Sequence, residues 1–455
     1  MVQENILFDD IQTGMRYERK HTVKANDITL FGMIAGTRGE DENRSVPALG
    51  AFPLFSSTTT NFFPGNGSIL AGHELKSHGW IHERDELSIT LEITEKHEVS
   101  KQVVVQCRCE NQHGEVIASG PIIVVPPTVK RLNRFDDPPQ LTLRQHHVFA
   151  HIRAKAANYP AVPTAVVHPC DRESLLGALE AAKEGLIEPI LIGPEAKIRA
   201  VAIKEGFDLG NARIIDVPHS HAAAAKGVEL CRNGEAGALM KGSLHTDEIM
   251  GAVVSSATGL RCGKRLSHVF VMDVPAYGRP LLVTDAAINI APDLAAKVDI
   301  TQNAINLAHT LGIAKPKVAI LSAVETVYDK MPSTFEAALL CKMADRGQIT
   351  GGILDGPLAF DNAISMTAAK AKQIVSPVAG QADILVVPDI ESGNMLAKTM
   401  SYFAGADSAG IVLGARVPII LTSRADDAKA RLASAAVMVL VAHAAAIAKG
   451  EKPNE

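Results

Sequence analysis

The sequence predicts two unlike domains: a small α+β unit over residues 1–135 and a larger α/β unit, mainly parallel and two-lobed, over 136–455. Three observations carry this expectation. Before residue 130 apolar and polar residues alternate with period two, and beyond residue 160 short β-rich runs alternate with helical patterns. Between them lies PPTVKRLNRFDDPPQ, 126–140, rich in proline and charge with little to bury, which reads as a linker.

In the first unit, ELSITLEITEKHEV and KQVVVQCRCENQHGEVIASGPIIVV alternate as antiparallel strands do, with Gly114 in the turn of the second run. One helix is expected at ANDITLFGMIAG, where Asn26 or Asp27 caps the first turn and Ile28, Phe31 and Ile34 repeat at helical spacing. In the second unit TAVVH, PILIG, ARIIDV and AGALMKG read as strands. The helical patterns ESLLGALEAAKEG, EAKIRAVAIKEG and SHAAAAKGVELCRNG separate them, with Gly185, Gly206 and Gly234 at their ends. The rhythm continues through HVFVMDV, LLVTDAA, KVAILSAV, GGILDG, ADILVVPD and VPIILTS. About ten strands exceed the usual single open sheet, so two lobes with a cleft between them are expected.

Composition narrows the function classes. At 455 residues, 47% hydrophobic and 21% charged, the chain is long enough for several cores and has the make-up of an ordinary folded protein. Forty-five Lys and Arg against 50 Asp and Glu give a net charge of -5 without a basic tract, so nucleic acid is not an expected partner. The start, MVQENILFDD, lacks the basic and apolar regions of a signal peptide, which points to the cytoplasm. LASAAVMVLVAHAAAIA falls short of about 20 strongly apolar residues and carries His443, so it reads as a buried terminal helix and no membrane partner is expected. Among the cysteines only Cys107 and Cys109 are close. They would share one strand face, without further ligands at metal-site spacing.

Ligands of parallel sheets bind beyond the carboxyl ends of strands. That rule selects MKGSLHTDE (240–248), TDAAIN (284–289), LDGPLAFDNA (354–363), PDIESGN (388–394) and TSRADDAKAR (422–431), expected together at one rim. Their candidate binding residues are Lys241, Gly242, Ser243, Thr246, Asp285, Asn289, Asp355 and Asn394. Ser423 and Arg424 are the sharpest pair. They follow VPIIL and precede a helix expected to start near Ala425 or Asp426, whose free N–H groups would favour an anion that a guanidinium binds bidentately. The plainer alternative makes Ser423 a cap and pairs Arg424 with Asp426 or Asp427. For Lys241, Gly242, Ser243 and Thr246 it is an ordinary polar loop. No G-x-x-x-x-G-K-[ST] occurs, and GNGSILAG, 65–72, lies outside any strand-to-helix unit that would bind a dinucleotide.

VFVMDV, VAILS, SPVAGQADILVVPDIESGN and TSRAD resemble the phosphate acetyltransferase and phosphate butyryltransferase family over roughly residues 140–455. FDDIQTGMRYERKHTVKANDITLFGMIAG and NFFPGNGSILAGHELKSHGWIHERDELSI resemble a MaoC-type hot-dog domain. The whole chain is similar to bifunctional enoyl-CoA hydratase and phosphate acetyltransferase proteins. For the larger domain the resemblance implies exchange of an acyl group between coenzyme A and orthophosphate. Coenzyme A is then a substrate, no cofactor is tightly bound, and a homo-oligomer is expected. Ser423 and Arg424 match the family's Ser-Arg pair, which holds the phosphate and orients the carbonyl.

The family's carboxylate seven residues after that serine falls on Ala430 here. Asp426, Asp427, Asp389 and Asp355 are the candidates left to act on the thiol, with Asp426 and Asp389 placed beside Ser423 and Arg424 as catalytic. The family's arginine after the Lys241 strand is also replaced, near Met250, and Lys241 is expected to supply its charge. In the smaller domain a hydratase pattern like G-D-x-N-P-x-H laid on Gly36 puts Thr37 and Glu42 where Asp and His belong, and A-H-G reads Ala48, Leu49, Gly50. The expected protein is a phosphate acyltransferase with a degenerate hot-dog domain. The alternatives are a bifunctional enzyme, with Glu40, Asp41 or Glu42 in a displaced pair, and a silent binder of CoA or acyl phosphate.

Overall fold

The computed structural model describes residues 2–35, 45–134, 147–422 and 426–448. The chain forms two compact units, Met1–Leu143 and Arg144–Glu455.

In the first unit Arg16–Thr22, Glu86–His97, Gln102–Glu110, Val116–Val125 and Ile69–His73 pair antiparallel in that order. Period-two alternation places Val103, Val105, Cys107 and Cys109 on the buried face, where both cysteines are free and pack as small apolar groups. Burial alone pushes the Cys107 thiol up to about 12. Gly114, at φ 75°, makes the expected turn. The expected helix is Ala25–Ala35, and Asp27 caps it from inside the first turn, its carboxylate accepting the Lys24 N–H at 2.9 Å.

A second helix, Phe52–Asn61, is absent from the sequence reading. It buries Phe55, Thr58 and Thr59 against the sheet. Its threonines have low helix propensity, but each buried hydroxyl donates to a carbonyl one turn back: Thr58 to Leu54 at 2.7 Å and Thr59 to Phe55 at 2.9 Å. The first part of the expected linker is also structured: Leu132–Arg134 pairs antiparallel with Val2–Glu4. Residues 36–44, including Thr37 and Glu42, lie outside the described residues.

The second unit departs from two separate sheets. Eleven strands share one hydrogen-bonded path, in the order Arg213–Asp216, Ile187–Gly193, Val162–Val167, Ala238–Lys241, Ile419–Ile420, Asp407–Leu413, Ser267–Asp273, Pro280–Thr284, Ile384–Val386, Lys317–Leu321, Ile353–Leu358. The first five strands are mutually parallel, as are the last four. Between these blocks three successive pairings are antiparallel. An odd number of reversals turns the second block against the first. Segments that follow strands of both blocks nevertheless line one cleft: Lys241, Thr246 and Thr422 from the first block, and Ala287, Ile390 and Asn394 from the second.

On one face a continuous apolar core runs across both blocks, closed by the terminal helix Ala428–Ala448, in which every residue from Arg431 to Leu440 is buried. By length and composition that helix could cross a membrane, being longer than the sequence suggested, but over half of its most apolar stretch is covered within the unit. On the other face two separate cores form, one over each block.

Candidate active site

The gap between those two cores is where the sheet leaves a face open. In Ser267–Asp273 the alternation sends Val269 and Val271 into the continuous core, and His268, Phe270 and Met272 to the other side. These three line a cleft of about 920 Å³. Lys241, Thr246, Leu421, Thr422 and Asp426 line it from the first block. Asn394, Lys398 and Tyr402 do so from the helix Ile390–Tyr402.

Lys241 and Thr422 come together because their strands are adjacent and parallel, with Met240 opposite Ile420. Lys241 is 3% exposed, and its ammonium donates to the Thr422 carbonyl at 3.4 Å. A buried ammonium is costly unless hydrogen-bonded, so a cation held here at a cleft wall can meet an anionic ligand. Thr246 begins the helix Thr246–Val254, capped by reciprocal bonds between His245 and Glu248. Met250 is packed in the core of the first block and offers no charge.

His268 forms the cleft floor, fully buried, with Phe270 edge-on at 4.4 Å between ring centroids. Its ring has room only because residue 410 is glycine: a Cβ there would lie 3.0 Å from His268 Nε2 and 2.4 Å from the Leu421 oxygen. Burial drives the His268 pKa down, against the opposing effects of the Asp285 carboxylate and the Leu421 carbonyl.

Several candidates have other duties. Gly242 is required by backbone contact, since a Cβ would fall 2.4 Å from the Val167 oxygen and 2.6 Å from that of His168. Ser243 donates its N–H to the His168 carbonyl at 2.8 Å, and its side chain is hydrogen-bonded with Asp171. Asp285 is 2% exposed, and its carboxylate accepts the N–H groups of Ala287, Ile288 and Asn289 and the Asn289 amide. Asn289 also donates to the Leu266 carbonyl, so this pair shapes its own loop. Asp389 caps the helix Ile390–Tyr402, accepting the Ser392 N–H at 2.8 Å. That bond, with the Ser392 hydroxyl, holds its carboxyl below the usual range and makes it a poor base. Asp355 lies in the edge strand Ile353–Leu358, four strands from Ser267–Asp273. None of these six lines the cleft.

Asn394 does line the cleft, and its amide donates to the Ala286 carbonyl at 3.2 Å. Ser423 and Arg424 lie outside the described residues, while Thr422 before them and Asp426 after them both line the cleft. The terminal helix starts at Ala428, later than expected, and Asp427 caps it through the Ala430 N–H at 2.9 Å. Asp426 is thus not in the first helical turn.

Sequence reasoning missed His268 and Arg431. A histidine at an alternating position of SHVFVMD, and one arginine heading the apolar run RLASAAVMVL, were the available signals.

The family model described as "Phosphate acetyl/butaryl transferase" matches residues 219–439. A phosphate acetyltransferase of Rhizobium meliloti is 65% identical over 291 residues, 64% of this chain and 92% of that protein. A phosphate butyryltransferase of Clostridium acetobutylicum is 41% identical over 291 residues, 64% of this chain and 96% of that protein. Among solved structures, a branched-chain phosphotransacylase from Enterococcus faecalis V583 matches with a TM-score of 0.54 and 30% identity, over 62% of this chain and 99% of that one. With identity this high over nearly the whole of a relative, the chain belongs to the phosphate acetyltransferase and phosphate butyryltransferase family.

Proposed function

We propose that the chain transfers an acyl group between coenzyme A and orthophosphate in the cleft of its second unit. The observation that carries this reading is the convergence of Lys241, Thr246, Thr422 and Asp426 on one cleft, at the strand end that leads into Ser423 and Arg424. Cations at that end suit a phosphate or acyl phosphate. From acyl phosphate, the CoA sulfur attacks the acyl carbon, the carbon–oxygen bond to phosphate breaks, and phosphate leaves. The thiol, with an ordinary pKa of about 8.5, must first lose its proton. Asp426 is the carboxylate of this cleft that suits the task. Lys241 and Arg424 stabilise the charge that develops on the carbonyl and departing phosphate oxygens. Holding both reactants in one cleft supplies much of the acceleration.

In this reading coenzyme A is a substrate, and the protein is cytoplasmic and homo-oligomeric. The first unit is a hot-dog domain, its sheet packed on the helix Phe52–Asn61, without a hydratase's Asp and His at the expected spacing. The test is CoA-dependent release of phosphate from acetyl phosphate or butyryl phosphate by the purified full chain. Turnover that disappears in Arg424→Ala supports the reading. Absence of turnover with both substrates overturns it.

A further inference from the structure

Arg431 is one of the largest fully buried side chains among the described residues, at 1% exposure. It enters the interior from the first turns of Ala428–Ala448 and reaches beneath the two strand ends at the cleft. Its Nη1 donates to the Thr422 hydroxyl at 2.6 Å and to the Lys241 carbonyl at 3.3 Å. One guanidinium thus ties together adjacent strands at the residues that line the cleft, immediately before Ser423 and Arg424. A planar fork can hold two acceptors in fixed relation, which a point-charge ammonium cannot.

The neighbouring helix is built around this side chain. Gly177 sits inside Arg172–Lys183, where glycine costs roughly 1 kcal/mol relative to alanine. A Cβ at 177 would lie 2.6 Å from Arg431 Cδ and 2.8 Å from its Cβ, so the glycine makes the space the arginine occupies.

Burial works against the charge of Arg431, and the carboxylates of Asp171, Asp426, Glu173 and Asp427 support it. Burial also opposes ionisation of Asp171, but hydrogen bonds from the Ser174 side chain and N–H, and from Ser243, outweigh it and hold this carboxyl below its ordinary range. An arginine remains protonated in proteins, so a permanent positive charge stands behind the Lys241–Thr422 wall.

We propose that Arg431 is a positioning residue for the phosphate subsite: it fixes the Lys241 and Thr422 strand ends and adds a buried positive charge behind them. This rests on the acyltransferase reading. It also assigns a source for the charge that Met250 does not provide.

The test uses the full chain with Arg431→Met, Arg431→Lys and Gly177→Ala, assayed with acetyl-CoA and inorganic phosphate, with phosphate binding measured separately by calorimetry. Arg431→Met is expected to raise the KM for phosphate and weaken its binding by about tenfold or more, the scale of one lost charged hydrogen-bonding partner. The KM for acetyl-CoA should stay within about twofold of the original in the same variant. Arg431→Lys should recover part of the phosphate affinity. Gly177→Ala, which displaces the side chain and keeps its charge, should weaken phosphate in the same selective way. If Arg431→Met does not fold, Gly177→Ala decides the matter.

Phosphate and acetyl-CoA parameters that fall together, or stay unchanged, would overturn the role of Arg431 and leave the acyltransferase reading standing. Conversely, Arg431-dependent phosphate binding in a wild-type protein without turnover on any acyl-CoA would uphold the subsite and remove the reading.

Discussion

Replacing Gly242 with alanine separates a packing role from a substrate role. The added Cβ would sit 2.4 Å from the Val167 oxygen and 2.6 Å from the His168 oxygen, both backbone atoms in the core of the first block. Relief requires the 241–243 segment to move away from 167–168. That motion strains two bonds, Gly242 N–H to Val167 O at 2.9 Å and Ser243 N–H to His168 O at 2.8 Å. Two weakened bonds at about 1 kcal/mol each, with an overpacking cost of about 1–3 kcal/mol, give a loss of about 3–5 kcal/mol. For a large domain that is a fall in Tm of roughly 5–8 °C. The assay is thermal unfolding of the full chain beside steady-state kinetics. A Tm within about 1 °C of the original, with a raised substrate KM, would refute the packing argument and return Gly242 to the binding site.

Two more substitutions test the duties assigned to buried groups. Asp389→Asn should keep its turnover, because asparagine caps a helix as well as aspartate, whereas loss of a true general base costs about 100-fold or more; a drop of that size would make Asp389 catalytic after all. The depressed Asp389 carboxyl stabilises the fold above its unfolded pKa of about 3.9, and that contribution fades as pH falls through the lower folded value. The difference between Asp389→Asn and wild type should therefore shrink in acid, as read by denaturant titration. His268, driven down by burial, binds its proton more readily when unfolded. Its neutral form is stable above about pH 6.5, and stability declines as pH falls below that value toward the folded pKa. Denaturant midpoints of His268→Met should fall less steeply through this window than those of wild type, and parallel curves would contradict the assignment.

Much of the local structure was legible because it depends on short-range pattern. Alternation gave the strands around Cys107 and Cys109, and the glycines at 206 and 234 end their helices at positive φ as helix C-caps do. The helix Phe52–Asn61 was not legible, since FPLFSSTTTN forms against its own propensities when Phe55 is buried on a sheet. Strand direction leaves no trace in periodicity. The three antiparallel pairings that reverse the second block are long-range events, so its direction against the first block could not be read from the sequence. Arg431 escaped notice because a charge within an apolar helix reads as its solvent-facing residue until the packing of Gly177 is seen.

The most direct test of the central claim is a panel of acyl-CoA substrates, from acetyl to longer and branched chains, incubated with the full chain and inorganic phosphate while free CoA thiol is followed. Phosphate-dependent release of CoA with at least one member, matched by acyl phosphate formed, is the expected result. Release that is independent of phosphate, or none across the panel, would contradict the account.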